Sequence, residues 1–182
     1  FTAQLQRNRE GLGGVAVSVC SAHPLVLRAA FRAAIRHDSF ALIESTSNQV
    51  DQYGGYTGMM PADFVALVRM IAGEERFPQE RILLGGDHLG PNTWRSKGSA
   101  VAMQETLQLV KSYVEAGYRK IHLDASFVCS DDPGPLSDEI VAQRCVEMAK
   151  IAEATAQGNK PVYVVGTEVP IPGGTFEDEG IH

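Results

Sequence analysis

Five short apolar runs, separated by longer segments of helical period, constrain this chain more than any other feature. GVAVSV (14–19), FALIES (40–45), RILLGG (81–86), KIHLDA (120–125) and PVYVVGT (161–167) have strand length, and several are rich in Val and Ile. Such runs predict buried parallel strands. Between them the spacing predicts helices in HPLVLRAAFRAAIRH, in PADFVALVRMIAGE, in SAVAMQETLQLVKSYVEAG and in LSDEIVAQRCVEMAKIAEAT. Phe64, Leu67, Val68 and Ile71 share one face of the second, and Met103, Leu107, Val110 and Val114 one face of the third. Pro24 and Pro61 suit first-turn positions, Ser137 before Asp138 and Glu139 suits a helix start, and Gly117 and Gly158 suit helix ends. Repeated strand–helix units imply right-handed crossovers and a parallel sheet covered on both faces.

Two architectures satisfy that pattern. An open doubly wound sheet usually opens its first helix with a Gly-rich phosphate loop, and VCSAHPLVL has none. A (β/α)8 TIM barrel collects its polar residues at the C-terminal strand ends, where this chain carries them, so an α/β barrel is the expected fold. A complete barrel takes about 250 residues. With about five βα units in 182 residues, the expectation is one incomplete barrel domain over residues 1–182, the N-terminal part of a longer protein.

Charge narrows the partners. The formal net charge is -6 and no Lys/Arg cluster occurs, which argues against nucleic acid and membrane surfaces because both need a basic stripe. Cys20, Cys129 and Cys145 are far apart and in no CxxC spacing, so they read as reduced thiols in a cytoplasmic protein. No apolar stretch approaches the roughly 20 residues of a membrane span. The start, FTAQLQRNREG, is too polar for the apolar region of a signal peptide, and without an initiator Met it reads as a trimmed end.

The strand ends carry Cys20, Ser21 and His23; Glu44, Ser45, Thr46, Asn48 and Gln49; Asp87, His88 and Asn92; Asp124, Ser126 and Asp131; and Thr167, Glu168, Gly173 and Gly174. Five successive loops of acids, amides and hydroxyls predict a polar small-molecule site at the barrel mouth. The Asp87-His88 pair is its sharpest element. Adjacent residues leaving a strand point different ways, so one can hold a metal while the other faces substrate as an acid or base. Read alone, the pair is more simply a turn cap beside a packed imidazole. The two glycines before it predict a tight backbone turn that ends the strand. His122 reads as a packed or pore-facing residue, and His23 as one near a helix start.

Together VCSAHPLVL, IESTSNQVDQYGGYTGMMPADF, LLGGDHLGPNTW, KSYVEAGYRKIHLDASFVCSDDP and VVGTEVPIPGG resemble the N-terminal part of the tagatose-bisphosphate aldolase Z-subunit family. These are the GatZ/KbaZ-type proteins of galactitol and N-acetylgalactosamine catabolism, also described as tagatose-6-phosphate kinases. The resemblance covers nearly the whole chain. It implies a cytoplasmic, oligomeric, non-catalytic subunit that supports the activity and stability of a zinc-dependent class II tagatose-bisphosphate aldolase, with a sugar phosphate as ligand. GGDHLG, HLDAS and GTEVPIPGG are also similar, in order and spacing, to the site segments of class II aldolases themselves. By that likeness Asp87 stands at the position of the catalytic acid/base and His88 at that of a zinc ligand, and Glu168 falls in the segment that follows; from the polar strand ends, Asn48, Asn92, Asp124, Ser126, Glu168, Gly173 and Gly174 are the substrate-binding candidates. Zinc needs three protein ligands, and the likeness places the other histidines on later strands.

Three functions follow: the accessory subunit, a metal-dependent sugar-bisphosphate lyase in its own right, and a sugar-phosphate kinase. The last lacks both a Walker GxxxxGK[ST] and a kinase Gly-rich loop with its lysine. GGYTGMMP and PIPGG could hold a phosphate through backbone amides, although a plain turn is the simpler reading of the first. CSDDPGP reads as a capped loop.

Overall fold

The computed structural model describes residues 2–13, 16–156, 158 and 160–166. In chain order the elements are α1 (Thr2–Arg9), β1 (Ser18–Cys20), α2 (Pro24–Arg36), β2 (Ala41–Thr46), α3 (Pro61–Glu74), β3 (Ile82–Leu89), α4 (Ser99–Ala116), β4 (Lys120–Leu123), α5 (Asp138–Thr155) and β5 (Val162–Val165). Short 3₁₀ turns occupy Gly55–Thr57, Gln79–Arg81 and Pro91–Trp94. The helix ends follow from local chemistry. Pro24 and Pro61 open α2 and α3, where a missing N–H costs nothing. His23 caps α2 by accepting the Leu25 amide on Nδ1 at 3.2 Å, and Gly117, at φ 102°, closes α4 in the left-handed region. Gly158 also has positive φ, beyond the Ala156 that ends α5. The polar α1 has no counterpart in the sequence reading.

All strand pairs are parallel and the sheet order is β1-β2-β3-β4-β5. A doubly wound sheet reverses its order at a switch point. This one never reverses, which is the order of a (β/α) barrel. Right-handed crossovers in that order put the helices on one face, and α2 packs on α3, α3 on α4 and α4 on α5. Among the described residues no helix is long and apolar enough to cross a membrane. β1 starts later than the apolar run predicts, at Ser18; Val17 is exposed, and residues 14 and 15 lie outside the described residues.

The helix side of the sheet holds the core. Ser45, Gly86 and Ile121 lie side by side on β2, β3 and β4, under Tyr113 and Tyr118, which like Phe31 and Phe64 are fully buried. The Tyr113 hydroxyl donates to the Val50 carbonyl at 2.7 Å, and the Tyr118 hydroxyl lies 3.0 Å from that of Ser45. The neighbouring row, Cys20, Glu44, Gly85 and Lys120, faces the other way. There Lys120 Nζ comes within 2.6 Å of Glu44 Oε1, both side chains being almost wholly buried. The pair is a charge contact and not an aligned hydrogen bond, since Oε1 has no directed donor. Gly85 makes it possible: a Cβ there would come within 2.5 Å of Glu44 Oε1.

Candidate functional site

β3 does not stop at its glycines. Gly85 and Gly86 are paired within the strand, which runs on through Asp87 and His88 to Leu89, so they serve close packing and not a turn. A Cβ at Gly86 would meet Leu89 Cδ1 at 2.6 Å and the Tyr113 ring at 3.0 Å. The turn in the backbone comes two residues later than expected, at His88, whose φ is 49°. Gly86 pairs with Ile121 and Leu89 with Leu123, so three steps on β3 match two on β4. The extra residue makes a β-bulge, and bulges re-aim side chains. Here the bulge cancels the expected alternation: Asp87 and His88 both turn inward, while Leu89 returns to the core, fully buried.

β4 and the residue after it supply the partners. His122 Nδ1 lies 3.2 Å from Asp87 Oδ1, and His88 Nδ1 lies 3.0 Å from Asp124 Oδ2. His88 Nε2 is 3.8 Å from Asp87 Oδ1, and the two imidazole centroids are 4.2 Å apart. Burial pushes the Asp87 carboxyl up, but the hydrogen bond from His122 and the charges of His88 and Lys120 outweigh it and hold the group below its ordinary value. Asp124 is buried to 1 % exposure and accepts Ser126 Oγ at 2.6 Å and the Ser126 amide at 3.2 Å on its other oxygen. Cys20 is exposed as a residue, yet its thiol hangs toward Asp87 and Glu44. Burial there, with those two negative charges, pushes the thiol up to about 12, so it remains protonated.

One ligand atom from each of Asp87, His88 and His122 lies within 4.8 Å of the other two. Two imidazoles and a carboxylate are three protein donors of the kinds zinc takes. The residues present therefore fit a divalent metal.

Residues 1–181 match the family described as D-tagatose-1,6-bisphosphate aldolase subunit GatZ/KbaZ-like. This chain belongs to the GatZ/KbaZ-like family. The GatZ/KbaZ-like chain is also similar, at 47% identity and a TM-score of 0.79, to the crystal structure of a probable tagatose 6 phosphate kinase from Sinorhizobium meliloti 1021. The match covers 85% of this chain and 39% of that one, so the matched part spans well under half the length of that relative.

The site residues expected from the GatZ/KbaZ-like sequence separate into three groups. Asp87, His88, Asp124 and Ser126 come together. Asn48 and Asn92 sit on the loops after β2 and β3: Asn48 is exposed and accepts the Thr93 hydroxyl at 3.1 Å, tying the two loops, while Asn92 is half-buried in its 3₁₀ turn. Thr167, Glu168, Gly173, Gly174 and the PIPGG segment lie outside the described residues. Much of the remaining rim is spent on its own turns. Ser21 accepts the His23 amide, and Thr46 and Gln49 bond each other's backbone amides. Asp131 accepts the Ser99 amide at the start of α4, and Asp132 pairs with Arg144 at 2.6 Å. Asp51 Oδ1 accepts the amides of Tyr53 and Gly55, so the Gly55 amide of GGYTGMMP is not free to cradle a phosphate.

His122, expected as a packed or pore-facing residue, is buried and faces the interior beside Asp87, although it is not among the candidate site residues expected from the sequence. The signal was there: in KIHLDA the polar Lys120, His122 and Asp124 alternate with Ile121, Leu123 and Ala125. Period two places all three polar residues on one face, the face that receives Asp87 and His88.

Proposed function

We propose that the chain serves as the accessory, non-catalytic part of a D-tagatose-1,6-bisphosphate aldolase, sustaining the stability and activity of a class II catalytic subunit in cytoplasmic galactitol or N-acetylgalactosamine breakdown. The observation that carries this reading is the match to an aldolase-subunit family across residues 1–181. Binding a partner's native state stabilises that partner by mass action. Under this reading the centre on β3 and β4 is a retained aldolase-like pocket whose ligand is a sugar phosphate.

A second reading, a metal-dependent sugar-bisphosphate lyase in its own right, is favoured by one arrangement: the Asp87, His88 and His122 donors gathered at the barrel mouth. Those three would hold the metal, zinc by the class II likeness. A bound zinc ion supplies Lewis acidity toward a ketose carbonyl. Despite burial, Asp87 is held below its ordinary value by His122, His88 and Lys120 and so is ionised at neutral pH; its carboxylate oxygen left off the metal would be the one to accept a hydroxyl proton as a general base.

The test is cleavage of tagatose 1,6-bisphosphate by the full-length, zinc-loaded protein, assayed alone and with the catalytic subunit, beside Asp87→Ala. The accessory reading expects no turnover alone and equal enhancement of the partner by parent and variant. Turnover alone that vanishes in Asp87→Ala would establish the lyase in its place. ATP-dependent consumption of tagatose 6-phosphate with release of ADP would revive the kinase.

A further inference from the structure

We infer that Asp124 is the positioning residue of this centre, fixing the proton of His88 on Nδ1 so that Nε2 is presented bare toward Asp87 and His122. The inference rests on the reading of the cluster as a metal centre, but its geometric part stands without the metal.

Three observations converge on it. A carboxylate can only accept, so the 3.0 Å contact between His88 Nδ1 and Asp124 Oδ2 is read as an N–H donated by the imidazole. The opposite ring nitrogen, Nε2, is the one that approaches Asp87 Oδ1, at 3.8 Å. Asp124 is itself held: its second oxygen takes the amide and the hydroxyl of Ser126, and it is almost wholly buried. The carboxylate therefore cannot rotate away without abandoning three hydrogen bonds.

The backbone requires such a partner. His88 occupies the left-handed region, at φ 49°, a conformation uncommon for a non-glycine residue that persists where its surroundings over-determine it. The bond to Asp124 is the contact that uses the ring this conformation swings inward. Asp124 is also held from the backbone side, its amide donating to the Leu89 carbonyl at 2.9 Å, with Gly90 leaving room for its carbonyl. That close approach seats the β4 end against the residue that follows the bulge. A metal-bound histidine usually donates its other ring N–H to a carboxylate or carbonyl, which sets its tautomer and basicity, and Asp124 stands where that partner is needed.

The experiment uses the full-length protein and two readouts. The first is the ¹⁵N chemical shifts of the His88 ring in the metal-free protein, compared between parent and Asp124→Asn. Asparagine keeps the shape but can offer either an oxygen or an NH₂, so it no longer dictates the tautomer. The expected result is a protonated Nδ1 in the parent and a shift toward protonated Nε2 in Asp124→Asn. The second readout is Co²⁺ titration followed by its d–d absorption, with Ser126→Ala as a variant that keeps the carboxylate. Asp124→Asn should weaken Co²⁺ by about 10–100-fold, and Ser126→Ala by less. A parent His88 protonated on Nε2, or an Asp124→Asn that keeps both tautomer and Co²⁺ affinity, would overturn the inference. Failure of the parent to bind Co²⁺, with the tautomer set as expected, would instead sink the metal centre and leave the positioning of His88 standing.

Discussion

On the helix side of the sheet, Ser45, Gly86 and Ile121 form a row packed under Tyr113 and Tyr118; one residue earlier on the same three strands, Glu44, Gly85 and Lys120 form a row facing the barrel interior. Each row has a glycine at its centre, and each glycine is required by what fills its space. At Gly86 the space is taken by Leu89 and the Tyr113 ring, at Gly85 by the carboxylate of Glu44. The helix side uses its vacancy to close an apolar core, and the inner side uses it to let opposite charges meet across a strand. The same substitution of Cβ by hydrogen thus serves dispersion contacts on one face and electrostatics on the other.

The comparison breaks most easily at Lys120. Lys120→Met leaves Glu44 buried beside no cation and should cost about 3–5 kcal/mol in urea unfolding, most of which Glu44→Gln in the same chain should restore. A single variant as stable as the parent would mean that the inner row contributes nothing to stability. Gly86→Ala forces a methyl onto Leu89 and Tyr113 and should cost about 1–3 kcal/mol as overpacking; a stabilising effect there would show that the helix side has slack. Tyr113→Phe, which deprives the Val50 carbonyl of its 2.7 Å donor, should cost about 1 kcal/mol, and an effect as large as that of Lys120→Met would erase the distinction between the rows. The smallest effect sharpens the comparison at the mouth. Because Asp87 is held below its ordinary value, it contributes stability above about pH 4 that is lost as pH falls through its folded pKa. The stability gap between parent and Asp87→Asn should therefore narrow between pH 7 and pH 3, and a gap that stays constant over that range would refute the lowered carboxyl.

Sequence periodicity reached the helices and their ends because those signals are local. The predicted segment PADFVALVRMIAGE coincides with α3 at both ends, and Pro24, Pro61 and Gly117 hold the positions their backbone chemistry dictates. It reached the barrel order too, since the lack of a phosphate loop after β1 and the polar strand ends are both properties of short stretches. The centre was legible only in part. Asp87 and His88 announce themselves as a pair, but their common orientation depends on a bulge, and a histidine at positive φ carries no sequence mark. His122 and Asp124 lie 35 and 36 residues from the groups they bond, so their partnership is set by the β3–β4 register, which a four-residue strand specifies weakly. The pair of glycines misled for the same reason. Read locally they signal a turn, whereas their necessity comes from Glu44 on one neighbouring strand and Tyr113 on an overlying helix.

The unbroken strand order also sets a timetable. Among the described residues each of β2 to β5 pairs with the strand made just before it, so synthesis from the N-terminus delivers each of them to an edge that already exists. Asp87, His88, His122 and Asp124 all belong to β3, β4 and the residue after it. The centre is thus assembled when the fourth strand docks, and the fifth is laid against a mouth whose charged groups have already found one another.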